Sequence, residues 1–285
     1  MPEESIQPNQ TRKLFYGLFI FPLLIAVGMA VLLCSVVLLT HEEQTPETLI
    51  TAIKSGSVSK RWQKAFELSN ELNRAKPDLR TGSVEKEIIY ILKDSKQFDP
   101  KTRGYMAIAL SHFHDEDARA ALEATLADPD ETVRMYSLWG LGVIGSKSSA
   151  PAVVPFLVSE SVDLRKTAAY VLGIIGGERE IAPLKVLLDD ASADVKWNAA
   201  LALARLGDRS GLDVMLKMLD RQTLSQTFAM DDAAIEAVMV NAVKGLALLM
   251  DADTAGTIEQ LSKNDKSLKV RQAAIDALHY IKEAR

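Results

Sequence analysis

The chain has 285 residues, 48% of them hydrophobic and 25% charged, a composition that suits a folded protein with a large core. Its net charge is −5, and the value is the same for the part that follows the first apolar run. That sign excludes a general attraction to phosphate backbones or anionic headgroups, and with it non-specific nucleic-acid binding; the single cysteine, Cys34, excludes a disulfide framework.

Residues 1–13 are polar, contain Pro8 and read as a short disordered tail. From Leu14 to Leu39 the chain runs for 26 residues without a charge, about 39 Å as a helix and enough to cross a bilayer with some tilt. One transmembrane helix is therefore predicted over residues 14–40. A cleaved signal peptide competes, because Arg12 and Lys13 form a short basic region and Gly28-Met29-Ala30 resembles a cleavage site. The apolar run continues well past Ala30, which favours an uncleaved anchor. Leu33 directly before Cys34 argues against a lipoprotein signal. Arg12 and Lys13 before the span, against His41-Glu42-Glu43 after it, favour a cytoplasmic N-terminus with the remainder periplasmic. Ala26 and Ala30, with Gly17 and Gly28, leave room for close helix packing in the membrane.

Residues 41–285 are organised by a repeat. Arg103, Arg134, Arg165 and Lys196 recur at an interval of 31, each followed seven residues later by Leu110, Leu141, Leu172 or Leu203. An interval of that length marks a solenoid of stacked helical hairpins. After a helix start at Thr45-Pro46-Glu47, the clearest second helices are predicted over 131–144, 162–175, 194–206 and 268–281, with small residues such as Ala168, Ala169, Ala199, Ala200, Ala273 and Ala274 allowing close approach. Glycines 142, 145, 173, 176 and 207 fall in last turns or caps. First helices are predicted over 150–158, 181–188, 211–219 and 255–261, with Pro151, Pro155 and Pro183 in their early turns.

The motif aliphatic-Arg-x-x-Ala-Ala-x-x-Leu-Gly is met fully at Arg165, closely at Lys196 and Arg271, loosely at Arg103 and Arg134, and poorly at Arg61 and Asn241. It resembles the bacterial HEAT-like repeat family, related to armadillo repeats. The resemblance implies an all-α, right-handed helical-hairpin solenoid of about seven repeats, preceded by the one transmembrane helix. It also implies a protein-binding scaffold, since such repeats mostly present surfaces to partners and their pattern encodes stacking.

Two intervals depart from 31. Between Arg61 and Arg103 there are eleven extra residues, around 73–82 and including Arg80; between Lys196 and Asn241 there are fourteen, around 221–232. The second insertion offers Leu224, Phe228 and Met230 as exposed apolar contacts, so these three, Arg80 and Trp62 are the partner-binding candidates. The basic ladder of Arg103, Arg134, Arg165, Lys196 and Arg271 is expected to pair with acids of neighbouring hairpins such as Asp130, Asp163 or Asp194, with reception of an acidic partner segment as the alternative. Trp62, Trp139 and Trp197 are expected between helices, and Trp62 also suits a cap near the bilayer interface.

Little chemistry is visible. His112 and His114 flank Phe113 ahead of Asp115, Glu116 and Asp117, a set that would suit zinc only if the stretch were extended. Its place at a helix end explains it better through capping and helix-dipole effects. The serines at 146, 148, 149, 159 and 161 have no nearby histidine, and Ile175-Gly176-Gly177-Glu178 lacks the Lys-Ser/Thr of a phosphate loop. No catalytic residue, metal ligand or cofactor is assigned. The sequence therefore reads as a scaffold or adaptor tethered to a bacterial inner membrane through residues 14–39, with another membrane-associated protein as partner and no nucleic acid. The alternative is an enzyme or enzyme accessory of the bilin lyase type, which shares the HEAT-like fold.

Overall fold

The computed structural model describes residues 16–40, 45–74, 79–249 and 252–283, and the chain divides into two compact units, Met1–Thr45 and Pro46–Arg285. In the first, a π-helical turn, Tyr16–Ile20, leads into helix α1, Phe21–Thr40. Across the two, Gly17–Ser35 is long and apolar enough to cross a membrane, and its large apolar side chains are exposed. The tail assigned to residues 1–13 and the flanking charges at 12, 13 and 41–43 lie outside the described residues.

Among the described residues of the second unit every regular element is helical. The first two hairpins pair α2 (Pro46–Ser55) with α3 (Val58–Arg74) and α4 (Gly82–Lys93) with α5 (Pro100–Ser111). The next three pair α6 (Glu116–Ala124) with α7 (Glu131–Ile144), α8 (Ala150–Val153) with α9 (Val162–Ile175), and α10 (Glu178–Val186) with α11 (Ala193–Arg205). In the sixth, α12 (Leu212–Lys217) and α14 (Asp232–Leu248) are separated by an inserted helix, α13 (Arg221–Thr227). Helices α15 (Ala252–Asn264) and α16 (Leu268–Glu283) form the seventh. The second helices pack successively on one another, α3 on α5, α5 on α7 and so on to α16.

Second helices form where the sequence puts apolar and small residues three and four apart behind a capping side chain. Asp99, Asp130, Ser161, Asp231 and Ser267 each accept a backbone N–H from the first turn of their helix. Gly145 closes α7 in the left-handed conformation, φ +75°. The first helices α6, α8 and α10 are shorter than their partners and end in 3₁₀ turns. Helix α8 gives way at Val153 to the 3₁₀ stretch Val154–Val158, where Pro155 lacks the N–H an α-helix would use. Packing between second helices is close: a Cβ at Gly173 would lie 2.7 Å from Ala202 Cα, a backbone atom with nowhere to go.

The basic ladder fixes the turns, with other partners than Asp130, Asp163 and Asp194. Asp130 caps α7 and Asp163 pairs with Lys166. The carboxylates that receive the arginines lie inside the inter-helix turns, 25 residues ahead. Arg103 forms a two-pronged pair with Asp128, and Arg165 does the same with Asp190, with Nε–Oδ2 2.8 Å and Nη2–Oδ1 3.0 Å. Each of these aspartates also accepts the N–H two residues on, from Asp130 at 3.0 Å and Ser192 at 2.8 Å. Six residues after the turn residue, the hairpin's own arginine donates to the turn carbonyls: Arg134 to Asp128 and Pro129, Arg165 to Ser159 and Glu160, and Arg271 to Asp265. Burial alone would raise the Asp128 carboxyl; the Arg103 hydrogen bonds and the Asp130 N–H override it and hold it below the ordinary carboxylate range.

The sixth anchor also differs. Reading back seven residues from Leu246 puts Met239, not Asn241, at the ladder position; Met239 is buried and Asn241 exposed. Met239 cannot hold the next turn aspartate, Asp265. Arg221 of the inserted helix takes its place, with Nε–Oδ2 3.1 Å and Nη2–Oδ1 2.6 Å.

Two stability outcomes follow. Arg103→Met, which strands Asp128 in a nearly closed site, is expected to cost about 3–5 kcal/mol in urea unfolding, while removal of Lys263 from its exposed pair with Glu259 leaves the midpoint unchanged. Gly173→Ala is expected to lower the melting temperature, whereas Gly256→Ala on α15, where a Cβ meets nothing within 4 Å, raises stability by about 0.5–1 kcal/mol.

Candidate binding surface

Counting from each ladder residue, positions two, five and nine further on fall within about 60° of one another on a helix. In α3, α5, α7 and α9 these positions carry Phe66, Tyr105, Tyr136, Trp139, Tyr170, Val143 and Ile174. The rings are in contact from helix to helix. Trp62 stacks on Tyr105 with centroids 6.5 Å apart, Phe66 meets Tyr105 edge-on at 5.4 Å, Tyr105 reaches Tyr136 at 5.7 Å, and Trp139 reaches Tyr170 at 5.0 Å. Lys101 Nζ sits 3.3 Å from the Trp62 ring centre and the Arg205 guanidinium 5.0 Å from that of Tyr170. Phe66 is 46% exposed and Trp139 41%, and Val143 and Ile174 are also open. The result is an aromatic strip with a cation at each end.

Trp139 is therefore not enclosed between helices as expected, and Trp62 is half-buried within the strip. Arg80 is turned inward, donating from Nε and Nη2 to the carbonyl of Leu72 and so closing the end of α3. In the second insertion Leu224 is 1% exposed, packed with Ile235, Met239 and Val270, and Met230 is half-buried against the same cluster. The insertion folds as a helix with its own apolar side, which buries Leu224 and leaves Met230 partly covered. Phe228, 41% exposed, packs edge-on against Trp197 at 5.3 Å.

These two rings form one wall of a cleft of about 700 Å³ between the fifth and sixth hairpins, with Leu188, Lys196, Asp213, Lys217 and Asp220 among the other lining residues. Here the core also divides into a larger cluster ending at Leu203 and a smaller one beginning at Ala200.

The histidine-acid stretch is not extended. His112 ends α5, His114 is left-handed with φ +57°, and Asp115 caps α6 through the N–H of Ala118 at 2.9 Å. Among the described residues no three His, Cys, Asp or Glu side chains gather as a metal-binding group. Burial, then the charges of Arg80 and His114, lowers the His112 pKa. The unforeseen member of this region is Glu85 on α4, a buried carboxyl with Oε1 unpartnered. Burial, followed by its hydrogen bond to Asp115 and the charges of Asp115 and Asp117, pushes it up to about 7, with Lys86 opposing.

A family model described as HEAT repeats matches residues 85–169, 122–195 and 150–227, together half of the chain. A chain of the complex of CpcE and CpcF of phycocyanin lyase from Nostoc sp. is similar in structure, at 19% identity and TM-score 0.58, over 85% of this chain and 96% of that one. A designed armadillo repeat protein is similar at 16% identity and TM-score 0.45, over 84% of this chain and 100% of its own. No curated protein matches the sequence.

Glu85 has a consequence for pH dependence. Its folded pKa lies above that of an unfolded glutamate, so the native state holds a proton that the unfolded state has released, and stability is lost as pH rises from about 4.5 through about 7. Glu85→Gln should abolish this component. In urea titrations between pH 5 and 8, the variant is expected to gain on the wild type steadily as pH increases.

Proposed function

Since the chain belongs to the HEAT repeat family, we propose that it is a protein-binding scaffold, tethered to a bacterial inner membrane as an accessory or assembly subunit of a membrane complex. The aromatic strip on the second helices is its contact surface. That strip carries the reading. Tyrosines and tryptophans supply large contact areas at low entropic cost and dominate the energetics of protein interfaces. Here they are held by ring-to-ring contact across successive helices, so little freedom remains to be lost on binding. The Gly17–Ser35 helix supports the tether: its apolar side chains are exposed on all sides, as lipid contact requires. Confinement to a bilayer raises the effective concentration of a partner in the same membrane. Arg12 and Lys13 ahead of the span support a cytoplasmic N-terminus with the repeats in the periplasm. No catalytic step is part of it.

A second reading, an enzyme or enzyme accessory of the bilin lyase type, is favoured by one observation, the fold shared with the phycocyanin lyase chain. The two readings differ in what occupies the strip.

The test uses the full-length protein in native membranes with a photocrosslinking residue at Trp139 or, as a control, at Val158, which is highly exposed near the end of a first helix. A discrete protein adduct is expected at 139 and not at 158. Tyr170→Ala should remove most of it, and affinity for the identified partner should fall about 30-fold or more. Purification with a bound chromophore and no adduct would favour the lyase reading.

A further inference from the structure

We propose that the cleft between the fifth and sixth hairpins binds a carboxylate side chain of an acidic, apolar peptide segment, with Lys196 as its counter-ion. The regular ladder supplies the reason. Arg103 and Arg165 each reach an aspartate 25 residues ahead; the same step from Lys196 arrives at Arg221, a cation already committed to Asp265. The adjacent acid, Asp220, caps α13, accepting the N–H groups of Gln222 and Thr223 and the Thr223 hydroxyl. Lys196 adds to the positive field at Asp190, but that carboxylate is held by Arg165. Among the described residues Lys196 is half-buried, and its side chain has no ion pair or hydrogen bond, only its backbone N–H donating to Ser192.

The insertion that breaks the ladder also opens the space in front of it. Where the regular stack brings the next turn onto the ladder cation, α13 swings a wall of Phe228 against Trp197 and leaves about 700 Å³. A half-buried lysine lining a cleft with an aromatic wall fits a carboxylate whose neighbour is phenylalanine or leucine. The remaining cleft charges fit this choice. Asp213 and Lys217 are both exposed at the rim, four residues apart on α12, and Lys185 is tied to Asp208 at 2.8 Å. Asp189 is the one further acid lining the cleft, and it places an upper limit on how many carboxylates the site accepts. The space exceeds what one carboxylate fills, so the occupant is a peptide with side chains on both sides of the acid. This site is separate from the aromatic strip, and neither depends on the other.

The experiment measures fluorescence anisotropy of a labelled, capped hexapeptide alternating aspartate with phenylalanine and leucine, against the same peptide with asparagine for aspartate, using the full-length protein in detergent. The acidic peptide is expected to bind at least tenfold more tightly than its asparagine counterpart. Lys196→Met should weaken it tenfold or more, Phe228→Ala several-fold, and Lys196→Arg and Trp139→Ala little. Lys196→Met should also leave the melting temperature unchanged, because no internal partner is lost. Equal binding of the two peptides, an unaltered affinity in Lys196→Met, or a fall in melting temperature like that of Arg165→Met would overturn the proposal. So would N-acetylaspartate binding as tightly as the peptide, since the site would then be one for small carboxylates.

Discussion

Each hairpin has to turn the chain sharply between two packed helices, and the turn's backbone groups lie too deep for water to satisfy them all. A short polar side chain in the turn, joined to arginines from two directions, resolves this. Asp190 accepts the Ser192 N–H while Arg165, from the preceding hairpin, grips its carboxylate. Arg165 simultaneously satisfies the carbonyls of Ser159 and Glu160 in its own turn. One guanidinium thus serves two successive turns, which is possible because its five donors are fixed in a plane and point two ways. Register between hairpins follows from this double grip as much as from the apolar core. At Ser159 the grip is half made: its hydroxyl accepts the Ser161 N–H, but it offers no charge to Arg134.

The same constraint explains which parts of the fold were legible in the sequence. Helices 131–144 and 162–175 stand where the spacing put them, because ladder residue, small residues, leucine and closing glycine each do a distinct physical job at a fixed offset. The choice of ladder partners was less accessible. Asp130, Asp163 and Asp194 lie nearest the arginines along the helix, whereas the true partners are a full hairpin away and become neighbours only once the stack exists. Asn241 stands in for Met239 in the sequence pattern because the inserted residues hide the interval; Leu246, seven residues after Met239, keeps the correct register.

The surface was harder to read than the core. An insertion that breaks the repeat period reads as exposed at Leu224 and Met230, yet the seven residues from Arg221 to Thr227 suffice for a helix that turns Leu224 into the core and leaves Met230 half-buried. Conversely, Trp139 looked buried because large aromatic residues commonly are. The signal was nonetheless present, since Phe66, Trp139 and Tyr170 share one offset from the ladder and Tyr105 and Tyr136 another. Residues at equal offsets in a stacked array must line up, and here Tyr105, Tyr136 and Tyr170 lean against the core edge while Phe66 and Trp139 stay open. Glu85 gave no such signal: a lone glutamate on an amphipathic helix acquires its altered proton affinity only when α6 brings Asp115 against it.

The inserted helix shows how a repeat array accommodates a break without losing continuity. At the sixth hairpin the ladder cation is replaced by Met239, which extends the core cluster containing Leu224 and Ile235. The orphaned Asp265 still has to be held, since an unpaired carboxylate in that turn would be costly, and Arg221 arrives from α13 to hold it. The insertion therefore repairs the ladder on its C-terminal side through Arg221 while leaving it open on its N-terminal side at Lys196. Stability downstream is secured by the first effect, so the second is free to serve a contact with another molecule. Where the hairpins are regular, Arg103 and Arg165 are closed by the aspartate of the next turn and Arg134 by the carbonyls of its own, whereas the Lys196 side chain has neither.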